Sequence, residues 1–174
     1  MMIIEMGGRS CYVDSDTLSA ILARLAPNNR TVCAVAYRTG LRVSDVVGLK
    51  TADLVHCVEN NYWLSLTEQK TGKVRKIKMD KKTVTALMAT AGSVYVFEHR
   101  YDPNRHRARQ TVYKDFKRAA RAVLGRSTAA SVHSIRKTYA VEKYRECGNL
   151  ESVRRDMNHE NIATTMLYAF SDKM

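Results

Sequence analysis

An α+β fold, mostly helical with one small antiparallel sheet, is what this sequence predicts. Three observations predict it. Apolar residues recur at helical spacing in successive stretches that open on Asp, Ser or Asn and close on Gly or Asn. Two β-favouring runs, NYWLSLTEQ and KVRKIKM, lie on either side of Lys70-Thr71-Gly72-Lys73, the pattern of a hairpin with Lys70 at or near its turn. No repeat or linker interrupts the 174 residues, so they read as a single domain, residues 1–174.

In chain order, residues 1–13 read as a lead or a short strand. DSDTLSAILARLA opens a helix capped by Asp14 or Ser15, with Leu18, Ile21, Leu22 and Leu25 on its apolar face, and Pro27-Asn28-Asn29 ends it. TVCAVAYRTG forms a second helix stopped by Gly40, and LRVSDVVGL a third helical piece. Residues 51–61 read as a turn or short strand before the hairpin. A helix capped by Asp80 follows, then SVYVF as a strand and residues 99–109, HRYDPNRHRAR, as a basic loop. QTVYKDFKRAARAVLG places Val112, Phe116, Ala119, Ala120 and Val123 toward the core, with Lys114, Lys117, Arg118 and Arg121 in one cationic stripe. A helix capped by Ser131, a short one capped by Asn149 and the amphipathic run NHENIATTMLYAF complete the chain.

Charge narrows the function. There are 29 Lys and Arg against 17 Asp and Glu, a net +12, which points to a polyanionic partner such as nucleic acid. Cys11, Cys33, Cys57 and Cys147 form no close pair, which suits a reducing cytoplasm and gives no zinc motif. The start, MMIIEMGGRS, is not a signal peptide, and no apolar run approaches the ~20 residues that cross a membrane. Cofactor and metal are both read as none, and the partner as DNA rather than a membrane.

The polar residues that carry chemistry are dispersed. His133 and Arg136 stand three apart, so on a helix they share one face. Arg42 and Asp45 have the same spacing and can pair. His159 precedes Tyr168 by nine positions. Two arginine forks can hold the oxygens of one phosphodiester and stay in place as negative charge develops. A tyrosine can be a covalent nucleophile when arginines favour its phenolate and a histidine takes its proton. A lysine can protonate the leaving alkoxide. Taken singly, Arg42 reads as a surface ion pair, His133 as a capping or core histidine, Tyr168 as an amphipathic anchor, and the basic stripes as solvated faces. Their joint occurrence makes the difference.

At these positions the chain resembles the tyrosine recombinases of the phage integrase family. TGLRVSDVVGLK resembles the first arginine box, QKTGKVRKIKM the lysine-bearing hairpin, HSIRKTYA the HxxR box, and NHENIATTMLYAF the final box with its histidine and tyrosine nucleophile. The resemblance runs from about residue 12 to the end and implies the catalytic-domain fold of that family. It implies that Tyr168 attacks the scissile phosphate to form a 3′-phosphotyrosyl bond and release a 5′-hydroxyl. Arg42 and Arg136 would bind the phosphate, Lys70 (with Lys73 as its rival) would protonate the 5′-oxygen, His133 would act in acid/base transfer, and His159 would donate to a phosphate oxygen. Asp45 would orient Arg42. Lys73, Arg75, Arg105, Arg107, Lys114, Lys117, Arg118 and Arg121 are the candidate DNA-binding residues. The implied partner is double-stranded DNA, with a tetramer assembled on it and a free protein able to be monomeric. Residues 1–174 would be the catalytic domain with no N-terminal core-binding domain ahead of it. Two departures from the family pattern stand out: Lys137 where a second histidine is common, and Met157-Asn158 where Leu-Gly usually precedes the last histidine. The alternatives are a type IB topoisomerase-like relaxing enzyme and a DNA-binding fragment without activity.

Overall fold

The computed structural model describes residues 10–161. The closing run from 162 on, including Tyr168, and the first nine residues lie outside the described residues. The chain clusters into two compact units: one holds Met1–Arg42 and Val112–Met174, the other Val43–Thr111.

The first unit is helical. α1 (Ser15–Ala23) begins at Asp14, whose carboxylate accepts from the Thr17 N–H at 2.8 Å. α2 (Pro27–Thr39) starts on the proline expected to end its predecessor. Pro27 is suited to a first helical position because its missing N–H has no partner to lose there. Its cap, Ala26, has no side-chain acceptor to offer. Instead Asp115 accepts from the Ala26 N–H at 2.9 Å and from Asn29 Nδ2 at 2.7 Å. α6 (Arg109–Leu124) buries Val112, Phe116, Ala119 and Ala120, as its periodicity requires, while Val123 is only half-buried. α7 (Val132–Cys147) opens with a capping box between Ser131 and Ser134 and packs on α2; α8 (Leu150–Asp156) is capped by Asn149. Residues 10–14 form no strand: Ser134, Lys137 and Thr138 of α7 hold the carbonyls of Cys11, Ser10 and Val13 at 2.5–2.6 Å. Lys137, which departs from the family pattern, therefore anchors this segment.

The second unit carries the sheets. After α3 (Val43–Val47), residues Thr51–Glu59 form a helix, α4, where a turn or strand was expected. Its Thr and Val residues favour strand locally, but Leu54 and Cys57 bury one face and α4 packs on β1, so tertiary burial overrides propensity. β1 (Trp63–Thr67) and β2 (Val74–Lys78) form the expected antiparallel hairpin, and α5 (Lys81–Met88) is capped by Asp80 as its sequence implies. SVYVF contributes only a bridge from Tyr95 to Lys50. The basic loop is instead a second hairpin, β3 (Glu98–His99) with β4 (Asp102–His106). Pro103 hid it from the sequence, since proline is tolerated only where no ladder bond is needed.

The face of β2 is not uniformly basic at the surface. Arg75 does not offer its charge outward for DNA: it is 7% exposed and meets the fully buried Glu68 at 3.5 Å. Opposite Leu66 in register, it is an inward-facing position occupied by a cation. Breaking a buried pair by deleting one partner strands the other charge. Arg75→Ala is therefore expected to lower unfolding free energy by about 3–5 kcal/mol in a denaturant titration, while the exposed Lys76→Ala changes it little.

Asp115 predicts a pH dependence. Burial alone would raise its carboxyl, but hydrogen bonds from Asn29, Arg118 and the Ala26 N–H carry it below the ordinary range. A depressed folded-state value stabilises the fold above the unfolded carboxylate value of about 4, and that contribution is lost as pH falls below it. Asp115→Asn should flatten the acid limb of a melting-temperature profile and leave the slope at neutral pH unchanged.

Candidate functional site

Arg136 and His159 form the centre of the first unit's polar cluster. Arg136 occupies α7 and is 7% exposed; His159 follows α8 and is 8% exposed. Arg136 Nη2 lies 3.1 Å from His159 Nε2 and donates to the Met157 carbonyl at 2.7 Å, while Nη1 donates to the Gly40 carbonyl. These three partners are neutral acceptors, so they orient the guanidinium without cancelling its charge. Arginine has no acceptor of its own, so His159 Nε2 must accept, which assigns the imidazole proton to Nδ1 in this arrangement.

Each partner is itself positioned. Gly40 ends α2 at φ 65°, a left-handed conformation that favours glycine. A Cβ on Gly40 would stand 2.5 Å from Cε1 of Tyr139, so the ring closes over the turn that aims the carbonyl at Arg136. Met157 is buried with Ala140 and Val153, with Tyr139 and Tyr144 packed against them. Asn158 takes φ 53°, the left-handed conformation that lets it stand where the family commonly has glycine. The turn then returns to α8: His159 N–H donates to the Arg154 carbonyl at 3.0 Å, and Arg154 Nη1 donates to the His159 carbonyl at 2.7 Å. Glu151 holds Arg154 at 2.6 Å.

His133 shares a helix face with Arg136, but it lies in the first turn and is exposed where Arg136 is buried. Its ring stands edge-on to Tyr113, centroids 6.0 Å apart and planes at 73°. Arg42 is half-buried in the connection that follows α2 and closes the first unit. In the second unit, Lys70 is exposed in the turn of the β1–β2 hairpin, and Lys73 is half-buried just before β2. Asp45 is buried in α3, where Oδ1 accepts the Gln69 N–H at 2.9 Å, so it ties α3 to the start of the lysine-bearing turn.

The basic stripe of α6 is divided by its partners. Lys117 Nζ holds the carbonyls of Thr128 and Ala130, at 2.5 and 3.4 Å, and Arg118 pairs with Asp115 at 2.6 Å while donating to the Arg24 carbonyl. Lys114 and Arg121 are exposed. Arg105 is exposed on β4, and Arg107 just after it is half-buried. Among the described residues no group of three or more His, Cys, Asp or Glu side chains could hold a metal ion. The sequence did not reveal the roles of Gly40, Met157 and Arg154. All three contribute backbone carbonyls, which carry no residue-type signal.

Comparison with known proteins decides the family. The Phage integrase family model matches residues 12–174. The chain belongs to the phage integrase family. Tyrosine recombinase XerC of Yersinia pestis is 26% identical over 171 residues, covering 92% of this chain and 55% of the relative. Among solved structures, a lambda integrase dimer bound to a COC' core site superposes with a TM-score of 0.76 at 18% identity, covering 97% of this chain and 50% of that one. The catalytic domain of bacteriophage HP1 integrase gives 0.67 at 19% identity, covering 94% and 89%. These likenesses show that the fold is that of integrase catalytic domains. The chain spans about half the length of the curated relatives it matches.

Because Gly40 combines a left-handed backbone with a ring against its α-carbon, Gly40→Ala should cost more than the ~1–2 kcal/mol of the backbone term alone. A denaturant titration checks this. Gly125→Ala serves as the control, because it also has positive φ but nothing stands within 4 Å of a Cβ there.

Proposed function

We propose that this chain is the catalytic domain, residues 1–174, of a site-specific DNA recombinase or integrase that cuts and rejoins strands through a 3′-phosphotyrosyl intermediate. The observation that carries the reading is the buried contact of Arg136 with His159. Two boxes separated by 23 positions meet in one charged, hydrogen-bonded centre, on a chain of the phage integrase family. Arg136 and Arg42 bind the scissile phosphate as paired forks. Tyr168 Oη attacks phosphorus; the new O–P bond forms as the P–O5′ bond breaks. His133 accepts the tyrosine proton, Lys70 delivers one to the departing 5′-oxygen, and His159 donates to a non-bridging oxygen. Asp45 orients Arg42. Attack by another strand's 5′-hydroxyl reverses the step on a new partner. The covalent bond keeps the phosphodiester energy, so no nucleotide cofactor is consumed.

The partner we assign is double-stranded DNA, on which the protein assembles as a tetramer. The setting is the cytoplasm of a bacterium or of a phage-infected cell. Among the described residues no helix is long and apolar enough to cross a membrane. Lys73, Arg105, Lys114 and Arg121 are the cations assigned to the DNA backbone, with Arg107 beside them. Lys117 and Arg118 serve the fold through their own partners, and Arg75 serves it through the buried Glu68. The matched family and relatives are recombinases and integrases, which favours recombination over the topoisomerase alternative.

Tyr168→Phe should abolish the covalent protein–DNA adduct on a nicked substrate while leaving salt-sensitive DNA binding intact. Denaturing gel electrophoresis of labelled DNA reads the first, and fluorescence anisotropy the second. An adduct that persists in the variant would overturn the nucleophile assignment, and binding without any adduct in the parent chain would favour the inactive DNA-binding module.

A further inference from the structure

The β3–β4 hairpin carries an aromatic group that the phosphate chemistry does not use. Tyr101 is 80% exposed, the most exposed large apolar side chain among the described residues. It stands in the two-residue turn Arg100-Tyr101 between the paired His99 and Asp102. The Arg100 guanidinium lies 5.3 Å from the Tyr101 ring centroid, and the His99 ring meets it edge-on at 6.1 Å.

The stem beneath this tip is fixed. Val96 and Phe97 are buried, Val96 N–H donates to the Leu49 carbonyl at 2.9 Å, and Arg107 N–H donates to the Phe97 carbonyl at 2.6 Å. The Glu98 carboxylate accepts from Ser93 Oγ at 2.9 Å and the Val94 N–H at 3.0 Å. The stem thus presents a ring to solvent rather than leaving it on a loose loop. Charge around the tip is positive. Residues 99–109 contain Arg100, Arg105, Arg107 and Arg109, and their one acid, Asp102, accepts the Asn104 N–H at 3.0 Å.

A cation alone suffices for a duplex backbone, whose bases are already stacked on each other. A flat ring beside a cation gains something further only from a base that has lost its neighbour. Strand exchange creates such bases, because a cleaved strand must leave one complement before it pairs with another. We propose that the β3–β4 hairpin binds unpaired DNA bases: Tyr101 stacks on a base, and Arg100 and Arg105 contact the adjoining phosphates. The proposal rests on the DNA-acting function above.

The test compares a labelled thymidine oligonucleotide with a labelled duplex by fluorescence anisotropy, using the full chain. Tyr101→Ala should weaken single-strand binding roughly fivefold to a hundredfold, the range for one stacked base, and leave duplex binding within about twofold. Tyr101→Trp should retain single-strand affinity. A strand carrying 5-iodouracil should crosslink to Tyr101 on irradiation, as read by mass spectrometry. Unchanged single-strand affinity in Tyr101→Ala, equal loss on both DNAs, or a crosslink only elsewhere would overturn the hairpin assignment. Parent protein that binds duplex but not the single strand would also overturn it, leaving the recombinase reading standing. Parent protein that binds neither would overturn the DNA-acting function itself.

Discussion

A guanidinium buried to 7% exposure is the constraint on which the first unit depends. Removing a cation from water costs several kcal/mol even after relaxation, so its N–H donors must find acceptors. Arg136 finds three acceptors in two segments far from it in sequence: the Gly40 carbonyl at the end of α2, and the Met157 carbonyl and His159 imidazole at the end of α8. Two of these acceptors are backbone carbonyls, fixed by how their helices terminate. The helix ends are therefore part of this polar centre, and each of the three acceptors is a neutral group rather than a carboxylate.

Packing supports the same geometry from behind. Tyr139 closes over Gly40 and also packs with Tyr144 against Ala140, Val153 and Met157. One ring thus stands against Gly40 and against the apolar cluster that includes Met157. Lys137, next along the helix, does different work: its ammonium and the hydroxyls of Ser134 and Thr138 hold residues 10–13 to α7. A single helix thus holds the buried Arg136 among its acceptors and also anchors the lead segment.

In the second unit Lys70 and the exposed Tyr101 belong to two separate hairpins. The β1–β2 hairpin holds Lys70 in an exposed turn whose entry, at Gln69, is fixed by the buried Asp45. Inside that hairpin Arg75 and Glu68 form a buried ion pair, which explains why a strand that reads as uniformly basic is only partly so at its surface. The β3–β4 hairpin has a different construction: its strands are polar, they follow the buried Val96 and Phe97, and its turn carries an exposed ring beside Arg100.

What the sequence determined by itself is local. The caps at Asp14, Asp80, Ser131 and Asn149, the stop at Gly40 and the first hairpin were legible because each depends on residues within one turn of one another. The recombinase boxes were legible because their residue types and order carry the signal. Tertiary structure decided what depends on distant partners. It made a helix of Thr51–Glu59 by burying Leu54 and Cys57, turned Pro27 from a terminator into a start, and drew Arg75 inward to Glu68. It also chose which cations of α6 serve the fold, since Asp115 and the carbonyls of Thr128 and Ala130 reach Arg118 and Lys117 through packing that no periodicity encodes. The contact between Arg136 and His159 belongs to this second class: the residues were visible one by one, but their convergence required the ends of α2 and α8 to be brought to one charge on α7.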